Sequence, residues 1–125
     1  LVGSEMCIRD RNWADKSASI DHRARAYLDI NCGHCHLSSG SASNTGLYLN
    51  FTETNEMNIG IYKKPVAAGR ASADLKYSIV PGKPNESILL HRMNSLDPGV
   101  MMPESGRSLL HTEGVKLIND WINGL

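Results

Sequence analysis

The sequence predicts an all-α fold of three or more helices separated by long loops. Three observations carry this expectation. Apolar residues recur at helical spacing in three segments. The stretches between those segments are rich in Ser, Gly, Asn and Pro. The one alternating apolar stretch, Leu47 to Phe51, is only a brief extended segment. The first helix is expected over Ser19 to Asn31, with Asp21 able to cap and charge its first turn and Ile20, Ala24, Tyr27, Leu28 and Ile30 on the apolar side. The SSGSASNTG run at 38–46 is loop, and 52–76, with Pro65 and Gly69, shows little periodicity. An irregular stretch of that length in a compact domain is unusual unless it wraps something. The turn Pro81-Gly82-Lys83-Pro84 leads into a second helix, Asn85 to Asn94, with Ile88, Leu89 and Met93 inward. Leu96 to Leu110 is loop again. The last helix runs from about Thr112 to Asn123, with Thr112 as N-cap and Glu113 in the first turn. Val115, Ile118, Ile122 and Leu125 form its apolar face, with Trp121 beside them.

The 125 residues suit one domain, read as 19–125 preceded by a polar linker over 12–18. Residues 1–11, LVGSEMCIRDR, resemble the translation of a transposase adapter used in DNA library preparation, whose codons give Leu1 to Asp10 in order. The expectation is a non-native artefact joined to a truncated frame. Cys7 then has no role, and the lack of a visible signal peptide carries no information.

Composition narrows the function classes. Hydrophobic residues make up 41% and aromatics 6%, thin material for a core of this size, which a large apolar cofactor would help to fill. Formal net charge is zero, and no basic stripe with interleaved aromatics marks a nucleic-acid binder. No apolar run approaches the roughly 18 residues of a membrane span.

The chemistry sits in Cys32-Gly33-His34-Cys35-His36, a C-x-x-C-H motif. This is the attachment signature of a c-type haem. Two thiols three residues apart reach the two vinyl groups on one haem edge, and the adjacent His36 falls beneath the iron as an axial ligand. His34, at a variable position, reads as a surface residue. A zinc site needs about four ligands, and His22, His91 and His111 are isolated in the sequence. A thioredoxin-like dithiol normally sits in a βαβ setting, which is not visible here.

A sixth ligand is expected from Val100-Met101-Met102-Pro103. Two adjacent methionines in a Pro/Gly loop are poor core material and good ligand material, and methionine ligation raises the potential. Met102 is the first choice, because Pro103 stiffens the loop beside it; Met101 is the second. Met93 is expected to pack in the core, Met57 to have no role, and His91 would give a bis-His site instead. Leu47, Leu49, Leu89, Met93 and Pro103 are candidates for the apolar wall, and Arg70, Arg92 and Arg107 for pairing with haem propionates.

With these residues placed, the chain from about Ser19 to Leu125 resembles the class I c-type cytochromes. The carriers are a helix entering C-x-x-C-H, a distal Met-Pro loop and a C-terminal helix holding Asp120-Trp121-Ile122. More narrowly, RARAYLDINCGHCH, IVPGKPNESILLHRM and MMPESGRSLLHTEGVKLINDWI resemble the cytochrome domain at the C-terminus of some larger bacterial secreted or periplasmic proteins. The resemblance implies a cytochrome c-like fold around one covalent haem c, with first and last helices crossing at close range, Ala24 as the small crossing residue, and Tyr27 or Leu28 against Trp121. Relatives usually carry a Pro-Gly-Gly-like segment after the haem motif and two prolines after the methionine. Here Leu37-Ser38-Ser39-Gly40 and Met102-Pro103-Glu104 stand in those places. A backbone carbonyl within 38–46 is therefore expected to accept the His36 ring N–H.

The leading expectation is electron transfer by a single haem with His/Met ligation and no catalysis of its own, in a bacterial periplasmic or otherwise extracytoplasmic setting. The partner is a redox protein or a fused oxidoreductase domain lost by truncation. A haem enzyme or gas-binding domain with an open sixth position, and a non-haem zinc or dithiol module, are the competing classes. Without haem the thin core is expected not to hold.

Overall fold

The computed structural model describes residues 13–66, 69–97, 99–102 and 111–125, with Arg70 by backbone alone. The adapter-like start with Cys7, together with Asn12, Pro103 and Arg107, lies outside the described residues, as does the side chain of Arg70. Among the described residues the chain forms four α-helices and three short 3-10 turns, and its only β-pairing is two isolated bridges, Ile61 with Ile79 and Tyr77 with Ser87. The all-α expectation agrees with this.

Helix α1 spans Ile20–Cys32. Ser19 starts it from an extended backbone, and its hydroxyl accepts from the His22 N–H at 3.2 Å. Ser19 is thus the cap, and Asp21 sits one step inside the helix, where its charge still suits the first-turn dipole. Ala24, Tyr27 and Leu28 are buried as expected, together with Ala26. Ile20 and Ile30 are exposed, so the buried stripe is narrower than the apolar pattern implied.

The region 52–76 holds more structure than its pattern indicated. Helix α2, Glu56–Ile59, starts where the Asn55 carboxamide accepts from the Met57 and Asn58 N–H groups. It ends at Gly60, whose φ of 123° a side chain would resist. A 3-10 turn follows at Gly69–Ser72. The second predicted helix divides into a 3-10 turn, Pro84–Glu86, and helix α3, Ile88–Met93. The division falls at Ser87, a fully buried residue. Its hydroxyl accepts from the Val80 N–H at 2.9 Å and donates to the Lys83 carbonyl at 3.1 Å, so it is occupied in closing the Pro81–Gly82 turn.

Helix α4 spans Thr112–Asn123, the predicted range. Its N-cap position is His111, which makes no side-chain cap, so Thr112 is the first helical residue and not the cap. Ile118, Trp121 and Ile122 are buried as predicted, while Leu125 is exposed beyond the helix end. Helix α4 packs against α1, and α3 packs against α4. One continuous core results, in which Ala24, Tyr27 and Leu28 of α1 meet Leu117, Ile118, Trp121 and Ile122 of α4 and Leu89, Leu90 and Met93 of α3. Ala24 is fully buried here, but the close approach is made from the other helix. A Cβ added at Gly114 would run into the Tyr27 ring and hydroxyl. Trp13, within the stretch read as linker, also packs against this core, edge-on to Tyr27 with ring centroids 5.3 Å apart.

Candidate haem-attachment site

The C-terminal end of α1 delivers the motif. Gly33 caps the helix, donating to the Leu28 and Asp29 carbonyls at 3.0 Å each. The Cys32 carbonyl then accepts from the Cys35 N–H at 3.2 Å and from the His36 N–H at 2.9 Å. One oxygen therefore gathers Cys32, Cys35 and His36 into a single turn. The chain doubles back at once, with the Ala42 N–H donating to the Cys35 carbonyl at 3.0 Å. Gly40 permits this return, since a Cβ there would lie 2.8 Å from the Cys35 carbonyl carbon and closer still to its oxygen. Both cysteines are free thiols. Cys32 packs against the core, and this burial, with the adjacent Cys35, pushes its thiol up to about 12. His34 is exposed, as expected of a variable position.

His36 is held on two sides. Its carbonyl accepts from the Leu49 N–H at 2.7 Å, which places the segment 47–51 behind it. Its Nδ1 lies 3.4 Å from Thr45 Oγ1. The Thr45 hydroxyl donates to the Ala42 carbonyl at 2.7 Å, so its hydrogen is committed and its oxygen faces the imidazole as an acceptor. This arrangement suits the tautomer with the ring hydrogen on Nδ1 and the lone pair on Nε2. The acceptor lies inside 38–46 as expected, but it is a side-chain hydroxyl, not a backbone carbonyl. No spacing rule singled out Thr45 within a Ser/Asn/Gly loop.

The segment behind His36 is fastened to α1 by two further residues that the sequence did not mark. Arg25 Nη2 donates to the carbonyls of Asn50, Phe51 and Glu53, at 3.2, 3.2 and 2.7 Å. Asp29 Oδ1 accepts from the Phe51 N–H at 2.8 Å. Partial burial lowers the pKa of Arg25, against the opposing pull of Asp21, Glu53 and Asp29. Their i, i+4 spacing on α1 was the available signal.

The methionines come from a separate loop tied to the end of α3. The Asp97 carbonyl accepts from the N–H groups of Val100 and Met101 at 2.8 Å each. Arg92 grips the same loop twice, its Nε donating to the Val100 carbonyl at 2.9 Å and its own carbonyl accepting from the Met102 N–H at 3.1 Å. Arg92 thereby anchors the methionine loop to the end of α3. Met101 is buried and Met102 is half-buried. Met93 is core, as expected, and Met57 is exposed on α2. Of the expected wall residues, Leu49, Leu89 and Met93 are buried in the core and Leu47 packs partly against it. His91 lies half-buried on α3. Among the described residues, no three His, Cys, Asp or Glu side chains converge into a metal-holding group.

No protein-family model, curated protein or solved structure matches the chain. The class defined by the described residues is thus a structural one: an all-α chain presenting a Cys-x-x-Cys-His turn at the end of its first helix.

Proposed function

We propose that the chain is a single-haem electron carrier of the c type. Cys32 and Cys35 would hold the haem as thioethers, His36 would be one axial ligand, and Met102 the other, with Met101 the alternative. The observation that carries this reading is the setting of His36: an imidazole directly after two free thiols, with its Nδ1 facing the Thr45 hydroxyl oxygen, a pairing that suits a hydrogen on Nδ1 and leaves Nε2 as the ligating atom. A metal-ligating histidine commonly has such a partner on its other nitrogen.

The donor set fits the group. Haem iron takes one imidazole and one thioether sulfur, and the cysteines are used covalently, so no cluster of three acidic, thiol or imidazole ligands is needed. The raised Cys32 thiol runs against a dithiol oxidoreductase, whose attacking cysteine is activated by a lowered pKa. A bound haem supplies a one-electron ferric/ferrous couple. The residues of the chain would anchor it through Cys32 and Cys35, with His36 held by Thr45 and the Leu49 N–H, and the buried Leu49, Leu89 and Met93 would supply its apolar wall. An apolar surround favours the less charged ferrous state, as methionine ligation also does.

This function implies a redox partner, either a separate protein or a fused oxidoreductase domain, and an extracytoplasmic setting, where c-type attachment takes place. No helix among the described residues is long and apolar enough to cross a membrane.

The test is expression with c-type maturation machinery, followed by spectra of the oxidised and reduced protein. Covalent haem with sharp ferrous α and β bands, and a weak far-red charge-transfer band in the ferric state, is the expected result. Haem bands without that feature, together with carbon monoxide binding, would replace electron transfer with an open-site haem protein. Absence of covalent haem would sink the reading.

A further inference from the structure

We infer that Thr45 is a positioning residue for His36, fixing its tautomer and holding it as a weakly polarised imidazole, so that the reduction potential is kept high. This rests on His36 being an iron ligand.

The argument is one of hydrogen accounting at a single oxygen. Thr45 Oγ1 gives its hydrogen to the Ala42 carbonyl at 2.7 Å. The same oxygen accepts from the Leu47 N–H at 3.2 Å. What remains for His36 Nδ1, at 3.4 Å, is a shared and neutral acceptor. Such an acceptor selects the Nδ1–H tautomer and does little more. A carboxylate in its place would draw the proton strongly, charge-assisted bonds being shorter and about twice as strong. The imidazole would then become more imidazolate-like, a better donor, and the ferric state would be favoured. The placement is rigid. Thr45 closes the 3-10 turn Ser43–Thr45, and the following Gly46 takes a φ of 70°, which turns the chain into the segment behind His36. A β-branched side chain has few rotamers with which to leave that position.

The experiment uses the haem-loaded protein and three variants, Thr45→Ser, Thr45→Val and Thr45→Asp. Two quantities are read: the reduction potential by redox titration, and solvent exchange of the His36 Nδ1–H in the reduced protein by proton NMR. Thr45→Ser keeps the hydroxyl and should match the parent in both. Thr45→Val should raise the ferrous-to-ferric ratio at fixed ambient potential by about threefold and speed Nδ1–H exchange by about tenfold. Thr45→Asp should move the ratio the other way by about tenfold, which is 59 mV for one electron. The parent protein also gives an answer without any variant: its Nδ1 hydrogen should show through-space coupling to the Thr45 side chain.

Shifts of the same sign in the Val and Asp variants, or unchanged exchange in both, would reduce Thr45 to a loop-forming residue. If the parent carries haem and the far-red band while the Thr45 variants change nothing, only this inference falls. If the parent carries no covalent haem, the assigned function falls and this inference with it.

Discussion

The phenol of Tyr27 lies against Gly114, so that the first and last helices touch where one of them has no side chain. Tyr27 cannot readily withdraw. Its hydroxyl is 2.7 Å from His111 Nδ1, and its ring meets Trp13 edge-on. Two effects oppose each other in Gly114→Ala. Alanine improves helix propensity by about 1 kcal/mol. Overpacking against a fixed ring costs about 1–3 kcal/mol. The second should win, and denaturant unfolding should show a net loss of up to about 2 kcal/mol. A stabilised variant would mean that the Tyr27 ring moves aside freely.

A second link between the same helices is polar. Trp121 Nε1 donates to Asp21 Oδ1 at 3.0 Å, across a separation of 100 residues. Asp21→Ala leaves a buried indole N–H without its acceptor, which should cost about 1–3 kcal/mol. Trp121→Phe removes the donor together with apolar volume, and its cost should be smaller in the Asp21→Ala background than in the parent. Equal costs in both backgrounds would show that the pair contributes nothing beyond its separate parts.

The helices were legible in the sequence where apolar spacing and a terminal polar residue agreed. Helix α4 falls on its predicted residues, and α1 is displaced by a single residue at each end. The cap of α1 was misassigned because Ser19 and Asp21 both suit a helix start, and only the structure shows that Trp121 engages Asp21. Helix α2 escaped notice because four residues are too few for a period, although Asn55 before it and Gly60 after it are ordinary boundary residues. The motif turn was legible because its chemistry is local. Thr45, Arg25 and Asp29 were not, since each acts on a residue brought close only by the return of the chain at Gly40 and 47–51.

Arg25 and Asp29 should therefore matter to a site they do not touch. Three carbonyls depend on one Arg25 nitrogen, and a hydrogen bond to a charged group contributes about 1.5–3 kcal/mol. Arg25→Ala should destabilise the protein by about 2 kcal/mol or more on that scale. It should also loosen the 47–51 segment, seen as faster amide exchange at Leu49, whose N–H holds the His36 carbonyl. Loss of stability with unchanged exchange at Leu49 would confine Arg25 to the 50–53 turn.

The cysteines give a pH-dependent test. An unperturbed thiol titrates near 9.0, whereas burial holds Cys32 near 12. Folding thus favours the protonated thiol. Its contribution to stability is complete below pH 9 and is lost as pH rises toward 12. In the haem-free chain, under conditions where the far-ultraviolet helix signal persists, alkylation of Cys32 should climb about tenfold per pH unit well past pH 9, because only the thiolate reacts. Denatured chain should level off near 9. Haem-loaded protein should show no alkylation at Cys32 or Cys35 even when denatured, since both sulfurs would be thioethers. Alkylation of the loaded, denatured protein at either residue would mean that the haem is not held by that cysteine.

Met101 and Met102 are adjacent, yet the structure treats them differently. Met101 is buried and its N–H donates to the Asp97 carbonyl, whereas Met102 is half-buried and fixed through its N–H to the end of α3. A ligand that must reach an iron from the loop should be the residue less committed to packing. Met102→Ala should therefore abolish the far-red charge-transfer band and lower the potential, since a thioether sulfur stabilises the ferrous state. It should change folding stability by less than the roughly 2–5 kcal/mol typical of truncating a buried methionine. Met101→Ala should do the reverse, keeping the band and losing stability. The two variants exchange roles if Met101 is the ligand. A band that survives in both would assign the sulfur to another methionine, and Met93, at the core-facing side of α3, would be the next to replace.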